Sequence, residues 1–181
     1  MRGTDKLLEA VDGHSLLSRI TTTALATGAR VIVALPPDRP SRIAALAGMQ
    51  VKQVIVSDPA LGLSSSLKAG LAVIPPNAPV LLLLADLPEI TTDDLNLMLR
   101  EWQATPDLIL RGTAADGTPG HPVCLPAWCR AELNNVQGDE GARSLLARHK
   151  DKLRLVALPD AHATTDLDTP EDWQIWRNRT S

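Results

Sequence analysis

Pro79-Val80-Leu81-Leu82-Leu83-Leu84-Ala85-Asp86 is an unbroken apolar run that stops at a carboxylate. A short apolar run without polar alternation suits a strand buried on both faces, as in the middle of a parallel sheet. The carboxylate at its end then points into the crevice outside the carboxyl ends of the strands, where open α/β sheets bind ligands. A second aspartate, Asp168, lies within Asp166-Leu167-Asp168-Thr169-Pro170-Glu171-Asp172. Mg2+ is usually held by one or two carboxylates plus substrate phosphates, so Asp86 and Asp168 together read as a metal-nucleotide site.

Around that run, short β-branched or Leu-rich stretches alternate with longer ones of helical period, the pattern of βαβ units and of the α/β class. The pattern predicts strands over Val31–Leu35, Val51–Val56, Val80–Leu84, Leu108–Leu110, Val123–Leu125 and Leu153–Leu158. It predicts helices over Leu16–Thr27, Arg42–Leu46, Ser65–Val73, Asp93–Gln103, Ala127–Asn134, Gly141–His149 and Pro170–Arg177. Thr91 with Asp94 forms a capping-box pattern, Gly28 suits the position after a helix end, and Pro170 suits a first helical turn. The turn-rich stretch Gly112–Gly120 is expected to form a loop over the site.

Composition narrows the function classes. The 181 residues suit one domain with its own core, and the net charge of −3 is spread without a basic stripe. With no Phe or Tyr and four Trp, the chain lacks the stacking platforms of single-strand binders, so nucleic acid is excluded as a partner. Trp102, Trp173 and Trp176 are expected in helix packing. No apolar stretch reaches the roughly 20 residues of a membrane span, and Met1–Lys6 lacks a signal-peptide core, so a soluble cytoplasmic protein is expected. Cys124 and Cys129 have neither a second pair nor a histidine at zinc spacing, and read as buried thiols.

Five segments, taken in order, resemble the nucleotidyltransferase family that includes molybdenum-cofactor cytidylyltransferases. They are Met1-Arg2-Gly3-Thr4-Asp5-Lys6-Leu7-Leu8, Gly62-Leu63-Ser64-Ser65-Ser66-Leu67-Lys68-Ala69-Gly70, Leu84-Ala85-Asp86-Leu87-Pro88, Gly120-His121-Pro122-Val123 with Gly138–Arg143, and Asp166–Asp172. Molybdopterin guanylyltransferases and sugar-nucleotide synthetases are more distant members. The resemblance implies a Rossmann-like three-layer nucleotidyltransferase fold with a mostly parallel sheet.

It also implies roles. Lys6 matches the lysine that closes a glycine-rich loop and touches nucleotide phosphates, with Arg2 and Gly3 beside it and Val11-Asp12-Gly13 at the family spacing. Asp86 and Asp168 match the two metal-binding carboxylates, with Mg2+ as cofactor and Asp166 as an auxiliary ligand. On chemistry alone Asp168 also suits a helix start. Gly62, Ser64, Ser65 and Ser66 bring small side chains and hydroxyls to a base, or alternatively cap the following helix. Their serine-rich form resembles the cytidylyltransferase branch, so CTP is preferred over GTP. His121 and Arg143 fall on the acceptor side, where His121 alone suits a structural role and the Arg143 turn suits a capped helix start equally well.

The implied reaction is transfer of CMP from CTP to the phosphate of molybdopterin, with a molybdoenzyme as a further partner. Two alternatives stand beside it: a guanylyltransferase or sugar- or polyol-phosphate nucleotidyltransferase, and a non-catalytic molybdopterin-binding partner of a molybdoenzyme. The relatives carry an apolar strand and a Leu-Ala-Ala-Gly-type loop ahead of this lysine. Residues 1–181 are therefore read as a single domain truncated at its N-terminus, with a central gap in the sheet and low solubility or activity expected.

Overall fold

The structure is a computed structural model that describes residues 5–136, 138 and 142–180. Arg2 and Gly3, and Asp139–Gly141 of the turn before Arg143, lie outside the described residues.

The chain opens with a 3-10 turn over Lys6–Leu8 and a small antiparallel hairpin, β1 (Ala10–Val11) with β2 (His14–Ser15). Helix α1 (Leu16–Leu25) follows, capped by Ser15, whose hydroxyl accepts from Ser18 N at 3.1 Å. Gly28 (φ +77°) donates its N–H to Leu25 O at 3.0 Å, ending the helix in the left-handed region that glycine enters without strain. Then come β3 (Ile32–Leu35), α2 (Pro40–Ala45), β4 (Lys52–Ile55), α3 (Leu63–Leu71) and β5 (Val80–Leu82). The second half comprises α4 (Thr92–Ala104), β6 (Ile109–Thr113), β7 (Pro119–Leu125), α5 (Arg130–Leu133), α6 (Arg143–Arg148), β8 (Leu153–Ala157) and α7 (Pro170–Thr180). The α/β class is borne out, and each predicted strand and helix has a counterpart.

Several details differ from the sequence reading. The strands form separate sheets: β3 and β4 pair in parallel as one, and the four-stranded sheet of order β5-β7-β6-β8 is mixed, with β6–β8 parallel and β7 antiparallel to both β5 and β6. The stretch Gly112–Gly120 is a hairpin tip, because β6 and β7 extend into it from both ends and leave a turn over Ala114–Thr118. That turn is pinned by Ala115 N donating to Asp160 O at 2.7 Å. Its turn residues are real, but they serve a hairpin rather than a long loop. The apolar run is strand only to Leu82, and Leu83–Ala85 lead on to Asp86 as irregular backbone.

Alternation along β6 and β7 divides the core into two faces. Leu110 and Cys124 pack with Ile20 of α1 and with Leu95 and Met98 of α4. Their neighbours Ile109, Val123 and Leu125 pack on the opposite face with Leu67 and Leu71 of α3, Leu133 of α5 and Leu145 of α6. Helices on both faces of a sheet give the three layers. Cys124 and Cys129 are free and buried, as expected, and burial pushes both thiols up to about 12. Trp173 and Trp176 form a separate cluster with Val11, Leu16 and Leu167. No helix among the described residues is long and apolar enough to cross a membrane.

Candidate active site

Three carboxylates from two distant parts of the chain meet one ammonium. Lys6 Nζ lies 2.8 Å from Asp86 Oδ2, 2.8 Å from Asp166 Oδ1 and 2.6 Å from Asp168 Oδ1. Lys6 is held by the 3-10 turn, whose preceding residue Asp5 accepts from Leu7 N at 3.1 Å. Asp5 in turn is gripped by Arg42 of α2, through Nε at 2.7 Å and a terminal nitrogen at 2.9 Å. Burial works to raise the Asp5 carboxyl, but the hydrogen bond and charge of Arg42 outweigh it and hold it below its ordinary range.

Asp86 stands just beyond β5, while Asp166 and Asp168 lie on the segment that enters α7. The helix start is made by Thr169 and Asp172. Thr169 N donates to Asp172 Oδ2 at 2.8 Å and Asp172 N donates to Thr169 Oγ1 at 3.1 Å, a reciprocal cap. Asp168, one residue before that cap, reaches Lys6 with Oδ1. Glu89 ties the two parts together, accepting from Thr165 Oγ1 at 2.6 Å and from Trp176 Nε1 at 3.0 Å. Trp173 adds a further tie, its Nε1 donating to Leu167 O at 3.2 Å.

The electrostatics of the cluster follow from its stoichiometry: three carboxylates face a single ammonium. Burial works to lower Lys6, but hydrogen bonds to Asp166, Asp168 and Asp86 overcome it and hold the lysine well above its ordinary value. Burial first, and then the neighbouring charges of Asp86 and Asp168, raise the Asp166 carboxyl despite its bond to Lys6. One ammonium therefore leaves negative charge over, which is the condition that favours a further cation.

Among the described residues no group of three His, Cys, Asp or Glu side chains is already arranged as a metal shell. The carboxylates are arranged instead about Lys6, whose ammonium stands where a hard cation would collect the same oxygens. The donor set, all carboxylate oxygen, suits Mg2+ or Mn2+ and not a thiophilic metal. Asp86, Asp166 and Asp168 are the residues that would hold it.

His121 of β7 reaches Leu82 O with Nδ1 at a long 3.5 Å, and the charge of Asp86 is felt at its ring. A carbonyl only accepts, so this contact places the proton on Nδ1 and leaves Nε2 as an acceptor. Burial lowers the His121 pKa, and the charge of Arg111 adds to that. Arg111 of β6 donates to Gly120 O at 3.0 Å and to Pro119 O at 3.3 Å. Burial and the nearby charge of Arg143 lower its pKa. Among the described residues neither Arg111 nor Arg143 meets a carboxylate within ion-pair distance. Arg143 thus lies close enough for its charge to be felt at Arg111, although the two are 32 positions apart in the chain.

The serine segment follows Gly62, whose φ of +76° is a left-handed conformation. Gly62 itself occupies the N-cap position of α3. Ser64 is buried, Ser65 donates to Asp58 O at 2.6 Å, and Ser66 lines an apolar cavity between β3 and β5.

Arg111, Glu89, Asp5 and Arg42 are additions to the residues read from sequence. Arg111 carried a usable signal, since a cation ending Leu108-Ile109-Leu110 mirrors the carboxylate ending the β5 run. The others act through partners 37 to 87 positions away, which local pattern does not reveal.

A three-layer α/β sheet with acids gathered beside a lysine at the strand ends defines a nucleotidyltransferase. The chain belongs to the MobA-like NTP transferase domain family, whose model matches residues 1–153. Among solved structures, the homolog of Rv0371c from Mycobacterium sp. strain JC1 is 26% identical, with 98% of this chain and 88% of that chain covered and a TM-score of 0.83. Rv0371c of Mycobacterium tuberculosis H37Rv, in complex with manganese, is 26% identical over 94% of this chain and 89% of that chain, with a TM-score of 0.79. CMP:2-keto-3-deoxy-manno-octonic acid synthetase complexed with CTP, at 14% identity, shares the fold over 97% of this chain and 91% of that chain, with a TM-score of 0.75. Among proteins of curated function no sequence match was found.

Proposed function

We propose that this nucleotidyltransferase transfers CMP from CTP to the terminal phosphate of molybdopterin, releasing pyrophosphate, with Mg2+ as the divalent ion. The observation that carries the reading is the convergence of Asp86, Asp166 and Asp168 on Lys6. Phosphoryl-type transfer needs little covalent chemistry from the protein, so catalysis is positioning and charge stabilisation.

The divalent ion, when bound with the nucleotide, neutralises phosphate charge and orients the α-phosphorus for in-line attack. Asp86, Asp166 and Asp168 would hold it by their oxygens. Lys6, released from those acids, turns to the β- and γ-phosphates and stabilises the leaving pyrophosphate. Arg2 and Gly3 assist at the phosphates, and Gly62, Ser64, Ser65 and Ser66 contact the cytosine. Arg111 and Arg143, two guanidinium groups close enough for their charges to interact, receive the anionic acceptor, with neutral His121 orienting it. The acceptor phosphate has a second pKa of about 6 and is mostly dianionic near neutrality, so no protein base is required.

The bound CTP and the manganese named for the two structural neighbours support nucleotide and divalent-metal chemistry of this kind. The serine-rich segment supports cytosine over guanine. Parallel turnover with CTP and GTP, using molybdopterin as acceptor, tests the assignment. CMP transfer at least tenfold faster than GMP transfer is expected, and the reverse order would assign the chain to guanylyl transfer.

A further inference from the structure

Between β8, which ends at Ala157, and α7, which starts at Pro170, the chain runs as turns and irregular backbone. This segment carries Asp166 and Asp168 to Lys6, so neither carboxylate stands on a helix or strand. Groups that hold a metal or a reacting phosphate need to be fixed to within about 0.5 Å. That order has to come from what the segment touches.

Besides the bond from Thr165 to Glu89, three contacts hold it. At the hairpin tip Ala115 N donates to Asp160 O at 2.7 Å, and on β7 His121 N donates to Ala163 O at 2.9 Å. Gly120 makes the second contact possible. A Cβ there would stand 1.9 Å from Ala163 O, so backbone meets backbone where no side chain fits. The third contact runs through a side chain: His162 Nδ1 lies 2.8 Å from Asp94 Oδ2, 68 positions away in the chain.

Asp94 does more than cap a helix. Its side chain is 4% exposed, and Oδ2 accepts from Thr91 N at 2.8 Å and from Thr91 Oγ1 at 2.7 Å as well as from His162. Thr91 and Asp94 complete the reciprocal cap of α4 between themselves, so the cap does not require the histidine. Among the described residues His162 is nevertheless the group of basic type within ion-pair distance of this buried carboxylate. An ionised carboxylate only accepts, so the proton of the bond sits on Nδ1. Hydrogen bonds to an ionised acid are about twice as strong as neutral ones, and this one is anchored in the core, because Leu95 and Met98 of α4 are fully buried.

We propose that His162 is a positioning residue of the transfer site: through Asp94 it pins residues 158–165 to the first turn of α4, and so fixes Asp166 and Asp168 opposite Asp86 for the divalent ion. This rests on the reading of those three acids as the holders of that ion.

The test compares the unaltered 181-residue chain with His162→Ala, His162→Asn and Thr91→Val, reading Mn2+ affinity by calorimetry, melting temperature, and amide hydrogen exchange over residues 160–166. Asparagine is chosen because its amide nitrogen takes the place of Nδ1 and donates to Asp94. Thr91→Val strips the hydroxyl from the same cap while leaving the histidine pair, so it lowers stability without loosening the segment. His162→Ala is expected to weaken Mn2+ binding about tenfold and to speed exchange over residues 160–166 while β6 is unchanged. His162→Asn is expected to restore most of the affinity. Thr91→Val is expected to lower the melting temperature yet bind Mn2+ as the unaltered protein does, whereas a merely structural histidine would make affinity follow melting temperature through the whole series. Equal Mn2+ affinity in His162→Ala and the unaltered protein overturns the proposal, as does a loss in Thr91→Val as large as that in His162→Ala. If the unaltered protein binds no Mn2+, the metal reading itself falls and the proposal falls with it.

Discussion

Lys6 Nζ and Asp168 Oδ1, 162 positions apart in the chain, lie 2.6 Å from each other. This contact ties the segment after β8 to the first turn of the chain, and Asp86 and Asp166 close on the same ammonium. A lysine held by three acids offsets only part of their charge, and on the proposed reading it turns to phosphate when a divalent ion takes its place.

Replacing Lys6 by Ala removes both functions. Transfer from CTP should fall about 100-fold or more, the scale of losing one preorganised charge at a transferring group. The acids then lack their ammonium, so added Mn2+ should raise the melting temperature of Lys6→Ala more than that of the unaltered protein. Equal metal-induced shifts in a thermal melt would contradict the exchange.

Asp166 carries the pH dependence. Its carboxyl is raised above the ordinary 3.8, so on acidification it takes up its proton earlier than a free aspartate does, and metal affinity falls earlier too. Calorimetric titration with Mn2+ between about pH 7 and pH 4 should show this early loss, and Asp166→Asn should bind more weakly at neutrality with a flatter dependence over the upper part of that range. For Lys6 the sign is opposite. Its folded pKa is raised above 10.5, so the stability it contributes is complete below that pH and is lost only as pH rises further.

Glu89 acts as a positioning residue. Glu89→Ala deletes the Glu89 bonds to Trp176 Nε1 and to the Thr165 hydroxyl, the latter keeping its bond to Ala161 O, a loss of about 2 kcal/mol in denaturant unfolding. Because the Asp166–Asp168 segment is anchored there, Mn2+ affinity should drop roughly tenfold. Glu89→Gln keeps an acceptor oxygen for Trp176 and should restore most of the stability.

Arg42→Ala strands the Asp5 carboxylate, which is 10% exposed. A loss of about 2 kcal/mol is expected for a partly buried pair broken from one side. Urea unfolding checks this, and the Lys6 turn should show faster amide exchange while β6 does not.

Much of the site could be read before the fold was known, because its logic is local. A carboxylate that ends an apolar strand and a carboxylate before Thr-Pro at a helix start both announce themselves in sequence, and both fall beside Lys6. Asp166 was legible only as an auxiliary and proves equal in distance to Asp86. Asp5, Arg42 and Glu89 were not legible, since each matters through one partner brought close by folding. The mixed sheet was hidden for a related reason: β7 is antiparallel to its neighbours, and a run such as Val123–Leu125 looks the same in either direction. The Gly112–Gly120 stretch misled because the same glycines and proline serve a long loop or a tight hairpin.

Calorimetric titration of CTP into the protein, with Mg2+ or with a chelator, tests the carboxylate-lysine site most directly when run beside Asp86→Asn. Binding that requires Mg2+ and weakens by at least the roughly 10–100-fold seen for groups that merely support metal ligands is the predicted result. CTP binding of equal strength in the chelator, or in Asp86→Asn, would contradict it.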